Sequence, residues 1–359
     1  MERVEVVAAG LDVLCLGESM ALFVPGEDGP ADRVRTWTRT VGGAESNVAC
    51  TLARLGVRAG WVSAVGDDPF GRAVVAAVAE AGVDVSGVRV DPRRPTGLYV
   101  KESNAAGSPV RYYRTGSAAS AMGPAVLDRV DLDGVCFVHV SGITAALSPD
   151  CLALLFALLD LPRATHQVSF DLNWRPALWT GADPGVLREL AARADVVLVG
   201  SDEAEAVWGT GAPADIRALL PGPATVVVKQ GELGATLLER DPLTGRDRPE
   251  VFEPALRVDV VEPVGAGDAF AAGFLAATLA GASASRRLRA GHLQAATVLC
   301  THHDVAVPLP RDLVADLLDA DPAAWAATHL TARGVHREMT SQEPGTTRES
   351  GHPEMSARE

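Results

Sequence analysis

The sequence has few cysteines, no long apolar run and no excess of positive charge. Each of these features argues against one class of protein. Its five cysteines are odd in number and form neither a C-x-x-C pair nor a Cys/His cluster. This argues against a disulfide framework or a zinc site and favours a reducing compartment. The five are Cys15, Cys50, Cys136, Cys151 and Cys300. The formal net charge of −14 argues against a nucleic-acid partner, since phosphate backbones are bound by basic patches.

No apolar segment reaches the length of about 18 residues that a membrane span needs, and the N-terminus lacks a basic region followed by a long apolar run. We therefore expect no membrane partner and a cytoplasmic location. An acidic surface with a locally basic pocket would still suit an anionic substrate.

Short apolar runs alternate with helical segments along most of the chain, and 47% apolar residues are enough to bury one large core or two moderate ones. This alternation predicts an α/β fold with a doubly wound, mostly parallel sheet flanked by helices. The predicted strands cover residues 13–16, 61–65, 136–140, 168–170, 196–199 and 226–229, and helices are predicted at 69–81, 149–159 and 184–194. Ligands of such sheets bind beyond the carboxyl ends of the strands.

Two regions break this alternation, because strands follow one another there without a helix between them. They are 21–24 with 34–40, and 96–102 with 110–114, and they predict a small separate β-sheet within about 18–40 and 95–115. The main domain is predicted to span 10–330. Residues 331–359 are nearly free of aliphatic side chains, so we expect a disordered C-terminal tail.

The segment VEPVGAGDAFAAGF, residues 261–274, predicts a strand end, a glycine turn and an apolar helix with a carboxylate in its first turn. The N–H groups of Gly265, Ala266 and Gly267 would form an anion hole at the helix start. Asp268 would be a base beside it, able to take a proton from a hydroxyl. The alternative is a capped helix with a structural aspartate.

A second glycine turn and helix occur at residues 41–56, VGGAESNVACTLARLG. Gly42 and Gly43 form the turn, and Asn47 lies in the first turn of the helix that follows. An amide there can donate to and accept from sugar hydroxyls. Alternatively, Asn47 only caps the helix.

Tyrosine and arginine side chains in the predicted small sheet are candidates for substrate binding. In the segment RYYR, Tyr112 and Arg114 would share one face of a strand, and an arginine there can bind a carboxylate with two hydrogen bonds. Tyr99 lies on the neighbouring predicted strand. Arg175, in DLNWRPALW, would add a second cation. The alternatives are a solvated arginine in an exposed hairpin and a structural ion pair between Arg175 and Asp171.

The segment KQGELGA follows a predicted strand, and its glycines would let the backbone wrap a nucleotide. Lys229, Gly231 and Gly234 are its candidate residues. A simple β-turn between two strands would have the same geometry. The chain contains no G-x4-G-K-[ST] motif, so a P-loop is not expected.

Together, the GG-x3-N-x-A and GAGDAF-x2-G segments resemble the two signatures of the ribokinase-like (PfkB) carbohydrate kinases. The likeness extends from about residue 12 to 308. The combination of YYR-x2-SAAS, HVSGIT, D-x-N-x-R-x3-W and EPVGAGDAF is most similar to the 2-keto-3-deoxygluconate kinase branch. The resemblance implies ATP-dependent transfer to a sugar acid, with the small sheet as a lid over the sugar and as the contact surface of a homo-oligomer.

The resemblance also assigns roles to the candidate residues. Asp268 is implied as the base, and the turn before it as the anion hole. The implied sugar-acid contacts are Gly42, Gly43, Asn47, Tyr99, Tyr112, Arg114 and Arg175. The implied nucleotide contacts are Asn173, Glu203, Lys229, Gly231 and Gly234. Glu203 is further implied to organise Mg²⁺ through water, and members of the family often hold a monovalent cation beside the turn that Glu262 precedes.

The sequence departs from the family pattern at three places. Gly200 replaces an asparagine three residues before Glu203, Gly291 and His292 stand where an asparagine often flanks adenine, and Glu262 replaces an aspartate. The segment His302-His303-Asp304 is interpreted as a loop at the adenine edge rather than a metal cluster. Two rival functions stay open: a kinase of a neutral sugar such as fructose or ribose, and a catalytically silent sugar- or nucleotide-binding protein.

Overall fold

A nine-stranded sheet with helices on both faces forms the centre of the fold. The computed structural model describes residues 10–27, 29–101, 110–163 and 165–337. The strands are β1 (Val13–Leu16), β2 (Met20–Pro25), β3 (Trp37–Gly42), β4 (Ala59–Gly66), β5 (Val88–Asp91), β6 (Leu98–Lys101), β7 (Val110–Tyr113), β8 (Phe137–Ser141), β9 (Gln167–Asp171), β10 (Val196–Gly200), β11 (Thr225–Lys229), β12 (Gly234–Glu239), β13 (Val251–Pro254), β14 (Arg257–Val258), β15 (Thr328–Thr331) and β16 (Gly334–Arg337).

The helices are α1 (Ala44–Arg54), α2 (Pro69–Glu80), α3 (Gly142–Leu147), α4 (Pro149–Asp160), α5 (Val186–Arg193), α6 (Ser201–Trp208), α7 (Pro213–Leu219), α8 (Ala266–Leu279), α9 (Ala284–Leu299), α10 (Arg311–Leu318) and α11 (Pro322–Ala326). Short 3₁₀ helices cover Ala119–Ala121, Pro124–Arg129 and Pro176–Leu178.

The large sheet has the strand order β13-β12-β11-β10-β9-β8-β1-β4-β5. The seven strands from β11 to β5 pair in parallel, and β12 and β13 add an antiparallel hairpin at one edge. The predicted doubly wound, mostly parallel sheet is therefore confirmed. The turn between β11 and β12 is the KQGELGA segment.

Both faces of the large sheet are buried along its central strands, which explains why those strands are nearly continuous apolar runs. In β1, Leu14 and Leu16 join the cluster covered by α3 to α7, while Val13 and Cys15 join the cluster covered by α1, α2, α8 and α9. Neighbouring residues of a strand point to opposite faces, so a fully apolar strand supplies both cores.

The predicted small sheet is present and separate, with the order β3-β2-β6-β7. In its register, Leu22 lies beside Tyr99, and Tyr99 beside Tyr112. Strand β3 begins at Trp37, later than the predicted start at residue 34. The middle of the second predicted block, residues 102–109, lies outside the described residues.

A third sheet, β14-β15-β16, was not predicted. Its strands cover a small core that includes Leu317, Trp325 and Leu330, against which Val335 packs. The prediction of a disordered tail from residue 331 is therefore wrong for Thr331–Arg337, because β16 pairs antiparallel with β15 there. Residues 338–359, the rest of the predicted tail, lie outside the described residues.

Two expectations from composition can be compared with the structure. All five cysteines are free thiols, and four of them are buried. Within the ranges that the structure describes, we find no helix with both the length and the apolar character needed to cross a membrane.

Candidate active site

The predicted site residues meet where the parallel strands of the large sheet end. Strand β9 ends at Asp171, with Asn173 following it, and β11 ends at Lys229. Helices α1 and α8 begin at the same edge, since Asn47 in α1 reaches Asp268 in α8. This is the position at which doubly wound sheets bind their ligands.

Helix α8 begins at the predicted anion-hole turn. Gly265 adopts a left-handed φ of 84°, and a Cβ on it would lie 2.7 Å from the carbonyl oxygen of Asp304, so a side chain would not fit there. Ala266 and Gly267 open the helix; the Ala266 N–H makes a long hydrogen bond of 3.4 Å to the Pro263 carbonyl, and the Gly267 N–H belongs to the first turn, which has no partner within the helix. The end of a 14-residue helix can therefore stabilise an anion at this point.

Two amides hold the carboxylate of Asp268. Asn47 donates from Nδ2 to one oxygen at 2.8 Å, and Asn173 donates from Nδ2 to the other at 3.3 Å. Burial raises the pKa of Asp268 to about 7, the Asn47 hydrogen bond opposes this rise, and the negative charge of Asp171 adds to it. A carboxylate with such a pKa is suited to take a proton near neutral pH.

Asn173 was expected on the nucleotide side, but its amide contacts Asp268. It has a φ of 42°, and it is the one non-glycine residue with a positive φ in the described ranges. A left-handed conformation of this kind costs about 1–3 kcal/mol and persists where neighbouring contacts enforce it. Here it turns the amide toward Asp268.

Lys229 supplies a positive charge beside the first turn of α8. Its ammonium donates to both oxygens of Asp171 at 3.0 Å and lies 3.6 Å from where a Cβ on Gly267 would be. Burial disfavours the ammonium, but the charges of Asp171 and Glu203 outweigh it and raise the pKa of Lys229. The alternative pairing of Asp171 with Arg175 is not seen.

The two glycines of the KQGELGA turn differ in their surroundings. Gly231 has a φ of 59° and open space around its Cβ position. A Cβ on Gly234 would lie 2.3 Å from the carbonyl oxygen of Glu253, so the pairing of β12 with β13 already explains this glycine. Gln230 donates its backbone N–H to the Gly234 carbonyl, which closes the turn.

Glu203 is held by backbone groups. Its Oε2 accepts from the Gly200 N–H at 2.8 Å, and its Oε1 accepts from the Trp174 N–H at 3.0 Å. Arg175 donates to the Trp174 carbonyl at 2.9 Å, with its Nη1 at 4.0 Å from Glu203. Nearly half of the Arg175 side chain, 46%, is exposed.

The small sheet, the predicted lid, brings the predicted tyrosines together with Arg114, the residue after β7. Tyr99 stacks on Tyr112 with ring centroids 5.5 Å apart, and the Arg114 guanidinium lies 5.5 Å from the Tyr112 ring centroid. Gly42 ends strand β3 of the same sheet, and a Cβ on it would lie 1.9 Å from the Tyr99 hydroxyl. A Cβ on Gly43, the next residue, would lie 2.3 Å from the Glu18 carbonyl oxygen.

A family model described as pfkB family carbohydrate kinase matches residues 11–311. The chain belongs to this family. A 2-dehydro-3-deoxygluconokinase of Bacillus subtilis is 37% identical over 318 residues, 86% of this chain and 96% of that protein. One of the same name from Thermoproteus tenax is 34% identical over 326 residues, 86% and 94% of the two chains. The crystal structure of a PfkB protein from Polaromonas, 35% identical, has a TM-score of 0.72 and covers 87% of this chain and all of its own.

Membership identifies the protein as an ATP-dependent carbohydrate kinase. The structure also shows residues of this kinase that sequence reasoning missed. Glu18 is fully buried, and its Oε2 lies 2.6 Å from Nε and 2.5 Å from Nη2 of Arg114. Its Oε1 accepts from the Ser117 hydroxyl at 2.5 Å. No local spacing pointed to Glu18, which lies 96 residues before its partner.

Asp304 corrects the interpretation of the His302-His303-Asp304 segment as an adenine-edge loop. Its Oδ2 accepts from the Tyr99 hydroxyl at 3.3 Å, and its carbonyl packs on Gly265. It therefore lies between the lid and the anion-hole turn of the kinase. His292 is likewise in the core, with Nε2 at 3.1 Å from the Glu253 carbonyl oxygen.

The residues present suit Mg²⁺ held largely by water and phosphate oxygens. Over the described ranges, no group of three or more His, Cys, Asp or Glu side chains is arranged for a metal ion. Mg²⁺ commonly keeps several waters and binds through one or two carboxylates together with substrate phosphates. Glu203 fits such a role, and the ion would neutralise charge on the transferred phosphoryl group.

Proposed function

We propose that this kinase phosphorylates a primary hydroxyl of 2-keto-3-deoxygluconate (2-dehydro-3-deoxygluconate) or a close sugar acid. The observation that carries the proposal is Arg114, a buried arginine held against Tyr112 in the lid, because a neutral sugar does not need a guanidinium there. Two relatives named 2-dehydro-3-deoxygluconokinase, alignable over most of the chain, support it.

In the proposed reaction Asp268 accepts the proton of the acceptor hydroxyl. Asn47 and Asn173 hold its two oxygens, so that the carboxylate is positioned before the sugar arrives. The first-turn N–H groups of α8 and the ammonium of Lys229 stabilise negative charge on the phosphoryl group. Arg175, which is partly exposed, adds a cation on the same side. Positioning and electrostatics are expected to supply most of the catalysis.

The nucleotide is proposed to lie along the Lys229–Gly231 turn, with Mg²⁺ organised by Glu203. Binding of a monovalent cation beside Glu262 and association through the lid remain proposals as well.

One observation favours a second candidate, a kinase of a neutral sugar. The buried carboxylate of Glu18 already compensates the charge of Arg114, and a neutral ligand would tolerate such a pair. The two candidates differ in what the guanidinium contributes to binding, which can be measured directly.

The test begins with ADP release on 2-keto-3-deoxygluconate, its galactonate epimer, fructose and ribose. Replacing Arg114 alone would leave Glu18 as an unpaired buried charge, which destabilises a fold strongly. The informative comparison is therefore the wild type with the double variant Glu18→Gln/Arg114→Met, in which both charges of the buried pair are removed together. Loss of the arginine should lower kcat/KM on the sugar acid by roughly ten- to a hundredfold, about 1.5–3 kcal/mol.

On fructose the same comparison should show only the smaller effect of lost packing. If the wild-type enzyme prefers fructose or ribose, or the arginine matters equally for both substrate classes, the sugar-acid proposal fails and the neutral-sugar function replaces it.

A further inference from the structure

The kinase contains 32 basic residues, of which 2 are lysines and the other 30 arginines. The lysines are Lys101 and Lys229, and both lie at the site. Lys229 already has a place, beside Asp171 and the first turn of α8. Lys101 has no role among the residues assigned above, although its side chain is only 4% exposed. Lysine offers a compact point charge that arginine cannot reproduce.

Lys101 joins the lid to two loops of the core. It is the last residue of β6, and it shares the buried face of that strand with Tyr99. Its ammonium lies 3.4 Å from Oε2 of Glu262, in the segment that leads into α8. It also lies 3.7 Å from Oδ1 of Asp304, in the loop after α9.

Neither the Lys101 ammonium nor Oδ1 of Asp304 has a hydrogen-bond partner among the described residues, although both atoms are buried. A charge-assisted hydrogen bond between an ammonium and a carboxylate is about 2.7–2.9 Å long. At 3.4 and 3.7 Å the ammonium is therefore held between Glu262 and Asp304 by charge. Buried charges are costly unless they are paired, so these two ion pairs hold Lys101 against the core.

The contact between Lys101 and Asp304 bears on the reaction because of the other contacts that Asp304 makes. Its second oxygen accepts from the Tyr99 hydroxyl, and a Cβ on Gly42 would lie 2.9 Å from it. Its carbonyl packs on Gly265, and its negative charge contributes to the raised pKa of Asp268. Burial raises the pKa of Asp304 itself, and the charge of Lys101 opposes that rise.

We propose that Lys101 is a positioning residue of the acceptor site: its ammonium, carried by β6, orients the Asp304 carboxylate beside Tyr99 and Gly42. The position of the lid thereby sets the shape of the sugar subsite. This inference rests on the proposed function of the same site, but it holds for whichever sugar the enzyme accepts.

The kinetic test uses Lys101→Met, Asp304→Asn and the double variant, on the acceptor that the wild type prefers. Lys101→Met should raise KM for the sugar at least tenfold, with KM for ATP changed less than twofold. The double variant should be no worse than Asp304→Asn alone, because Lys101 acts through that carboxylate. Arg39→Met, which removes an exposed cation from β3 of the same lid, is the matched control and should behave as wild type.

A binding test is carried out on the wild-type protein and needs a variant only to assign a signal. Protein labelled with ¹⁵N-lysine has two lysine amide signals, and Lys101→Arg identifies one of them by its loss. Adding the sugar without nucleotide should shift the Lys101 signal.

The proposal is overturned by an unshifted Lys101 signal, by a wild-type KM for sugar in Lys101→Met, or by additive losses in the double variant. Failure of the wild type to use 2-keto-3-deoxygluconate would instead count against the proposed substrate, and the Lys101 tests would then use the sugar that the screen identifies.

Discussion

At the scale of single residues, the proposed chemistry depends on how two amides and the surrounding burial act on Asp268. Burial favours the protonated carboxyl, while the hydrogen bond from Asn47 favours the carboxylate. The balance leaves the pKa of Asp268 at about 7 rather than near its ordinary 3.8. The carboxyl of Asp268, the proposed base, is therefore largely ionised only toward the alkaline side of neutral pH.

The pH profile of kcat/KM should follow this value. Only the ionised carboxylate can accept the proton, so kcat/KM should fall tenfold per pH unit on the acid side, with a midpoint at about pH 7. Asn47→Ala removes a hydrogen bond that lowers the pKa of Asp268, so its acid limb should move to higher pH. A midpoint near pH 4 in the wild type would contradict the assignment.

Asp268→Asn is the control for this prediction. Its turnover should fall by roughly two to four orders of magnitude, as expected for the loss of a general base.

The raised pKa of Asp268 also affects stability: the folded protein keeps the proton up to about pH 7, whereas the unfolded chain releases it near pH 3.8. Ionisation of Asp268 therefore costs stability as pH rises through that window. The difference between the Tm of Asp268→Asn and the Tm of the wild type should therefore be more positive at pH 8 than at pH 5.

At the scale of elements, the turn before α8 is specified by local sequence, whereas the hairpin of β15 and β16 depends on residues far along the chain. The turn is a local strand, glycine and helix pattern, and its function follows from the unpaired N–H groups at the helix start. The hairpin depends on partners far along the chain, since β15 pairs with β14 across some seventy residues. Its second strand, β16, also holds Val335 against the small C-terminal core.

Two truncations separate β16 from the rest of the tail. Ending the chain after Arg337 should leave Tm and activity unchanged, because residues 338–359 contain few apolar side chains. Ending it after Leu330 removes the partner of β15 and should cost about 1–3 kcal/mol, as expected for lost apolar burial. Thermal unfolding of the two truncated proteins measures the difference. Equal Tm values would show that β16 does not contribute to the fold.

At the scale of the whole molecule, the lid sheet has two outer strands, β3 and β7, whose edges can pair with another chain. On β7, the aromatic side chain of Tyr113 is 56% exposed. Exposed apolar surface of this kind is typical of a contact with another protein chain. We expect two lids to associate. Sedimentation velocity should then give about 75 kDa, twice the 37.4 kDa of one chain.

Tyr113→Asp tests this expectation, because a charge at the lid edge should shift the sedimenting species toward the monomer. Val90 is equally exposed, at 56%, but lies on β5 at the edge of the large sheet. Val90→Asp is therefore the matched control and should leave the mass unchanged. A monomeric wild-type protein would refute association through the lid.

Most of the fold and the centre of the site could be predicted from the sequence because their signals are local. Apolar runs buried on both faces identify the parallel strands, and glycine turns at helix starts identify Asp268, Asn47 and the anion-hole turn. Each of these patterns lies within some fifteen residues, where periodicity and backbone chemistry decide the structure.

Only the tertiary structure determined the partners of these residues. Arg114 meets Glu18 across 96 residues, and Tyr99 meets Asp304 across 205. The pairing of Lys101 with Glu262 and Asp304, the strand β16 and the contact of the Asn173 amide with Asp268 are of the same kind. Contacts between charged or polar side chains at such separations leave no periodic trace in a single sequence, because they depend on where the packed sheet and helices bring the chain together.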